Sequence, residues 1–185
     1  MKKMLLMAAS VVIMTVGFGA KAEGVVDKVC LYIPNRIIDA FDTFSCNIGF
    51  GPVARAELRG TRAVQGGAGV GASAKVIKDY NRQYGACLQN GWDWSFICVA
   101  AEDIERKPTT RWVKEYWEHA VGFPDPSSRI YNFHTGARDY WELGASLALF
   151  VEADIALHPV DLADFVTGFL FIDLKGDDLT FEDFE

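Results

Sequence analysis

Gly67-Ala-Gly-Val-Gly-Ala-Ser-Ala74 decides the fold. Gly67, Gly69 and Gly71 share one parity, and Ala68, Val70, Ala72 and Ala74 share the other. In a helix, each glycine costs about 1 kcal/mol relative to alanine, so this stretch argues against helix. A period of two instead describes an extended strand, in which small residues permit curvature or the close approach of another element. The alternation reaches back to Cys46: Cys46, Ile48, Phe50 and Pro52 share a parity, as do Ala54, Ala56, Leu58 and Gly60. Residues 46–78 therefore read as strands, with a turn near Arg59-Gly60.

Helical spacing flanks this region. Ile37, Ile38, Phe41 and Phe44 recur every three or four residues after Pro34, with Asp39 and Asp42 opposite. Pro159 opens a second such segment, in which Leu162, Phe165, Val166 and Phe169 oppose Asp161 and Asp164. Asn90-Gly91 predicts a two-residue hairpin turn between residues 84–89 and 92–99. Residues 102–108 read as a loop, followed by an aromatic helix through Trp112, Val113, Tyr116, Trp117 and Ala120. Ile130 to Phe133 reads as a strand. The segment from Tyr140 to Leu157 is either one long strand or a hairpin with its tip at Glu152-Ala-Asp154. The expected fold is mainly β (α+β): a curved antiparallel sheet or small partly closed barrel with two or three short covering helices.

Lys2 and Lys3, an apolar run and Ala20-Lys-Ala22 match an export signal cleaved after Ala22. The expected organisation is a signal peptide over 1–22, one β-rich domain over 23–178 and an acidic tail over 179–185. Losing Lys2, Lys3 and Lys21 leaves 15 basic residues against 25 acidic ones, a net charge of about −10. Such a chain is repelled by phosphate backbones and by anionic lipid headgroups, which argues against nucleic acid as a partner. Cys30, Cys46, Cys87 and Cys98 are an even set in an exported chain and read as two disulfides, Cys30–Cys46 and Cys87–Cys98.

A serine-hydrolase elbow, a P-loop, a zinc-protease helix and a Cys-x-x-Cys pair are absent, so no catalytic residue, nucleotide or cofactor is assigned. Asp173, Asp177 and Asp178 around Gly176 are weak calcium candidates that lack the twelve-residue loop pattern. His134, beside Phe133, reads as a structural histidine. The tryptophans are the stronger signal. Trp92, Trp94, Trp112 and Trp117 lie close in sequence and are the candidate contacts for a ligand or partner.

The function expected from these features is a noncatalytic, exported envelope protein, periplasmic or outer-membrane-associated, with a structural or interaction role. Its expected partners are another envelope protein or a membrane surface. The alternatives are a small integral outer-membrane β-barrel and a periplasmic binder of a lipid or other small ligand.

Overall fold

The structure is a computed structural model that describes residues 29–170, 172–176, 178 and 179. The expected signal segment 1–22, Asp177 and nearly all of the expected acidic tail lie outside those residues. The described residues form a mixed α+β fold with two helices and one six-stranded antiparallel sheet that is not closed into a barrel. Helix α1 spans Tyr32–Asp42 and leads into β1 (Phe44–Thr61), β2 (Val64–Asp79), β3 (Gln83–Ile97), β4 (Val99–Pro108) and β5 (Tyr116–Gly122). A short 3₁₀ turn at Arg129–Tyr131 precedes β6 (Leu143–Leu157) and helix α2 (Pro159–Gly168).

The sheet order is β5-β4-β3-β2-β1-β6, so the first and last strands are neighbours. Among the described residues, β5 and β6 remain unpaired edges. Phe44 pairs with Leu157, which brings α1 and α2 out of the same end of the sheet, where they pack on each other. Pro34 sits in the first turn of α1, where a missing N–H costs no intrahelical bond. The helix starts earlier than expected, at Tyr32.

The sheet is doubled over. Ser146 and Asp154 lie on one strand, eight residues or about 26 Å apart if β6 were straight. Their side chains nevertheless meet at 2.7 Å, and Arg59 reaches Asp154 at 2.5 Å. The crease crosses neighbouring strands. Gly71 pairs with Gly91, their φ values are 131° and 137°, and Phe150 on β6 adopts φ 65° beside an irregularity in its pairing with β1.

A Cβ on Gly71 would lie 2.2 Å from the Pro52 carbonyl oxygen and 2.6 Å from Val53 Cα. Both obstacles are backbone. Gly71→Val is therefore expected to destabilise the fold by about 3 kcal/mol through strain and overpacking. Gly66, which has open space around it, is expected to accept alanine without loss. A urea titration of the two variants checks both outcomes, and an unaltered Gly71→Val midpoint would contradict the crease.

Several expectations change. Asn90-Gly91 is not a turn, because residues 83–97 form one strand and Gly91 lies in the crease, where a Cβ would meet the Asp103 carbonyl oxygen at 2.0 Å. Residues 99–108 and 116–122 are strands, so neither the loop nor the aromatic helix forms. The first hairpin turns at Arg62-Ala63, and Ile130 belongs to the 3₁₀ turn. β6 is one strand with no tip at residue 153.

The disulfides are also overturned, since all four cysteines are free thiols. Cys30 and Cys46 are separated by α1, a rod about 16 Å long. Cys87 is buried opposite Pro108, whereas Cys98 sits in the turn at the other end of the β3–β4 ladder.

Candidate functional site

The polarity of the fold is inverted. The odd-numbered positions of β1 and β2 point inward and carry Arg55, Glu57, Arg59, Ser73, Lys75 and Asp79. The even-numbered positions point outward and carry Ile48, Phe50, Leu58, Val70 and Val76. On β6, Glu152 is 2 % exposed while Leu147 and Leu149 are 69 % and 72 % exposed. The helices follow the same rule. α1 buries Asn35, Arg36, Asp39 and Asp42 and exposes Ile33, Ile37 and Phe41, and α2 buries Asp161 and Asp164 and exposes Val166.

Inside, the charges neutralise one another. Arg59 meets Glu57 and Glu142 at 2.9 Å and Asp154 at 2.5 Å. Arg55 meets Asp93 at 2.6 Å, Lys75 meets Glu152 at 2.8 Å, and Arg106 meets Asp79 at 2.9 Å. Arg62 and Arg138, from the turn and the loop before β6, pair with Glu142 and Glu102. The polar cavity among these groups is only about 40 Å³, room for roughly one water. The cluster is therefore a polar core and has no space for an organic ligand.

Burial alone would raise the carboxyl pKa values of Glu57, Asp79, Glu102 and Asp154. Arg59, Arg106, Arg138 and Arg59 respectively, together with further charges and hydrogen bonds around each group, outweigh it and hold all four below the ordinary range. Asp93 and Asp161 go the other way, because burial outweighs Arg55 and Lys175.

A depressed folded-state pKa gives stability that is present above the unfolded value and lost as pH falls through the folded one. The four depressed carboxyls should therefore hold their contribution down to about pH 4 and lose it below that. Protonation of Asp93 and Asp161 offsets part of the loss. Urea midpoints from pH 7 to pH 2 check this, and a midpoint that does not fall at acid pH would contradict it.

Three of the candidate tryptophans share the outer face of β3–β5. Trp92 lies between Val70 and Asp103 in the ladder, and Trp94 between Ala68 and Ala101. Trp117 on β5 donates its Nε1–H to Asp103 at 2.8 Å. Trp112 stands apart, outside the strands, with the Arg111 guanidinium 4.7 Å from its ring.

Of the calcium candidates, Asp177 lies outside the described residues, and Asp173 and Asp178 have partners within the chain. Asp173 accepts backbone N–H bonds from Gly176 and Asp178, and the Asp178 carboxylate pairs with Arg36 at 2.9 Å. Among the described residues, no group of three metal-type side chains occurs. His134 is exposed, its ring edge-on to Phe133.

One further arrangement has no local signal in the chain. Ser45 Oγ lies 2.6 Å from His158 Nε2, and His158 Nδ1 lies 2.8 Å from Asp139 Oδ2. β1 supplies the serine, the loop before β6 the aspartate, and the residue just before α2 the histidine. Asp79 Oδ1 also lies 3.2 Å from Ser45 Oγ, but its carboxylate is engaged by the Tyr80 amide and Arg106. The Tyr80 ring packs against the imidazole at 5.2 Å. Burial alone would lower the His158 pKa, but the Asp139 hydrogen bond and the Glu142 and Asp79 charges raise it. Separations of 113 and 19 residues leave no local motif by which to find the set.

On the opposite, outer face of the same strands, an apolar groove of about 610 Å³ opens between Phe44, Cys46, Leu143, Ala145, Ile155 and Leu157. Comparison of the chain with protein families, characterised proteins and solved structures found no match.

Proposed function

We propose that this chain is an envelope protein seated in lipid, with the outer face of its sheet and the apolar faces of its two helices in the hydrocarbon layer. The observation that carries the reading is the inverted polarity. Contiguous apolar patches beyond a few hundred Å² are rare on monomers in water, and burying a leucine-sized side chain is worth about 1.5–3 kcal/mol. Here that stabilisation is forgone at Leu58, Leu147, Leu149, Val151 and Ile155 alike, while the charges occupy the core. Lipid against the outer face and a paired polar interior are the conditions under which such a distribution is favourable.

The outer face also has a boundary. β6, β1 and β2 present almost wholly apolar residues outward, whereas β4 and β5 present Asp103, Glu105, Lys107 and His119. Trp92 and Trp94 on β3 lie where the two surfaces meet, and Trp117 on β5 reaches back to Asp103 beside Trp92. Amphipathic rings favour that position at a membrane–water interface. In this reading the β4–β5 flank faces headgroups and water, and the tryptophans form the rim. Among the described residues, no helix is long and apolar enough to cross a membrane, so lipid contact runs through strands and helix faces.

Envelope fractionation and vesicle flotation test the reading. The expected result is retention through carbonate washing and co-flotation of the purified chain with phospholipid vesicles. Release as a soluble monomer, or as a soluble oligomer with the apolar face covered by copies of itself, would overturn it.

A further inference from the structure

We propose that two copies of this chain join through the free edges of their β6 strands, making one continuous folded sheet across a two-fold axis. The proposal rests on the lipid-seated reading. In hydrocarbon an unpaired backbone N–H or C=O has no water to bond, so a lipid-exposed sheet edge is not tolerated. β6 is 15 residues long, and roughly half of its N–H and C=O groups point away from β1. Among the described residues, no other backbone bonds to that free edge.

The two edges of the sheet differ in the way this requires. β5 has 7 residues, carries His119 outward and lies on the charged flank, where water can serve its backbone. β6 holds no proline, and its odd-numbered, outward positions are all leucine, isoleucine, valine or alanine. Its charges, Glu152 and Asp154, point inward and are held by Lys75 and Arg59. The outer side of β6 therefore carries no charge that would repel a second strand.

The crease gives β6 the symmetry that self-pairing needs. Phe150, at φ 65°, stands between arms 143–149 and 151–157. Positions equidistant from it face each other within the chain. Ser146 meets Asp154 at 2.7 Å, and a Cβ on Gly144 would lie 3.1 Å from that of Ala156. A two-fold axis beside Phe150, along the bisector of the bend, therefore exchanges the arms. It lays residues 143–149 of one copy antiparallel to residues 151–157 of the other, in both layers at once.

In that register β6 is complementary to itself, which makes a second copy the partner. Leu147 of one copy faces Ala153 of the other, and Ala145 faces Ile155, so large apolar side chains meet small ones on the lipid side. On the inner side Asp154 faces Ser146 and Glu152 faces Ala148, so no like charges oppose. The joined sheet ends in β5 on both sides, and both remaining edges lie on water-facing flanks.

The test uses the purified full chain in detergent micelles and in phospholipid vesicles. Its mass in micelles should be that of two copies, a readout that needs no variant. The register is read by disulfide trapping between Leu147→Cys and Ala153→Cys, each combined with Cys30→Ser, Cys46→Ser and Cys98→Ser. The two proteins are mixed in denaturant and reconstituted together into vesicles. Directly opposed residues have Cα atoms about 4.5–5.5 Å apart, within disulfide reach. Two copies of one position instead lie in opposite layers, about 10 Å apart and pointing away from each other. The mixture should therefore give about tenfold or more crosslinked dimer than either variant alone.

A monomeric mass, or a mixture that crosslinks no more than either variant alone, would overturn the proposal. Flotation without crosslinking would leave the lipid-seated reading standing, whereas crosslinking without flotation would sink that reading alone.

Discussion

Arg59→Leu is expected to destabilise the protein by about 3–5 kcal/mol, because it leaves a buried cluster of carboxylates without its main counter-charge. Arg59 bonds to Glu57, Ser146 and Asp154 and lies 2.9 Å from Glu142. These groups come from β1, from both arms of β6 and from the segment just before β6. Removing the guanidinium therefore unties both arms of the doubled sheet and frees three like charges to repel one another in a site closed to water. The paired variant Arg59→Leu with Glu142→Leu should recover part of the loss, since one uncompensated charge goes with it. The exposed pair Lys107–Glu105 is the control, and Lys107→Ala should leave stability nearly unchanged. Guanidinium unfolding of the four proteins reads the differences. Equal effects at Arg59 and Lys107 would mean that the interior is open to water.

Leu149→Arg is the second large expectation, and its sign of success depends on the solvent outside. Leu149 is 72 % exposed and pairs with outward-facing Ala54. In water, a change at so open a position alters stability by no more than about 0.5 kcal/mol. On a lipid-facing strand the same charge costs about 2–4 kcal/mol near the middle of the bilayer. Folding measured in phospholipid vesicles should show the larger penalty, with a matching loss of floated protein. At Lys107 on the β4–β5 flank, exchange for arginine should leave flotation unchanged. A neutral Leu149→Arg in vesicles would place water, and not lipid, against β6.

The sequence revealed period-two segments but not which parity faces inward. Glu57 and Arg59 alternate with Ala56 and Leu58, and for a chain in water that pattern assigns Leu58 to the core. The ion pairs to Glu142, Asp154 and Asp93 come from segments far along the chain, so the inversion emerges only when those partners are placed. The helices repeat the lesson, because Ile37 and Phe41 mark a face without saying what covers it.

β4 was hidden for a different reason. Its inward Glu102 and Arg106 and its outward Asp103, Glu105 and Lys107 are all charged, so the apolar alternation that marks a strand is missing. Trp112, Tyr116 and Trp117 then fell at helical spacing by coincidence. Asn90-Gly91 carried real turn chemistry, but the backbone freedom of Gly91 is used in the crease. Of the candidate site residues, Trp92, Trp94 and Trp117 come together on one outer face, whereas the triad of Ser45, Asp139 and His158 joins residues that no window of sequence connects.

The doubling of the sheet also governs how the chain must fold. Many contacts that close the fold are remote in sequence: Arg59 to Asp154 spans 95 residues, Ser73 to Glu152 spans 79, and Leu179 to Asn35 spans 144. Each closes a large loop, whose entropy is lost before the contact is gained, and folding slows as mean contact separation rises. The β1–β2 and β2–β3 hairpins can form early, but the carboxylates of β6 are synthesised last. Until they arrive, Arg55, Arg59 and Lys75 have few counter-charges and stay hydrated. Completion of β6 is thus the step that dries the interior, and a ribosome-bound or truncated chain ending before residue 143 would remain open.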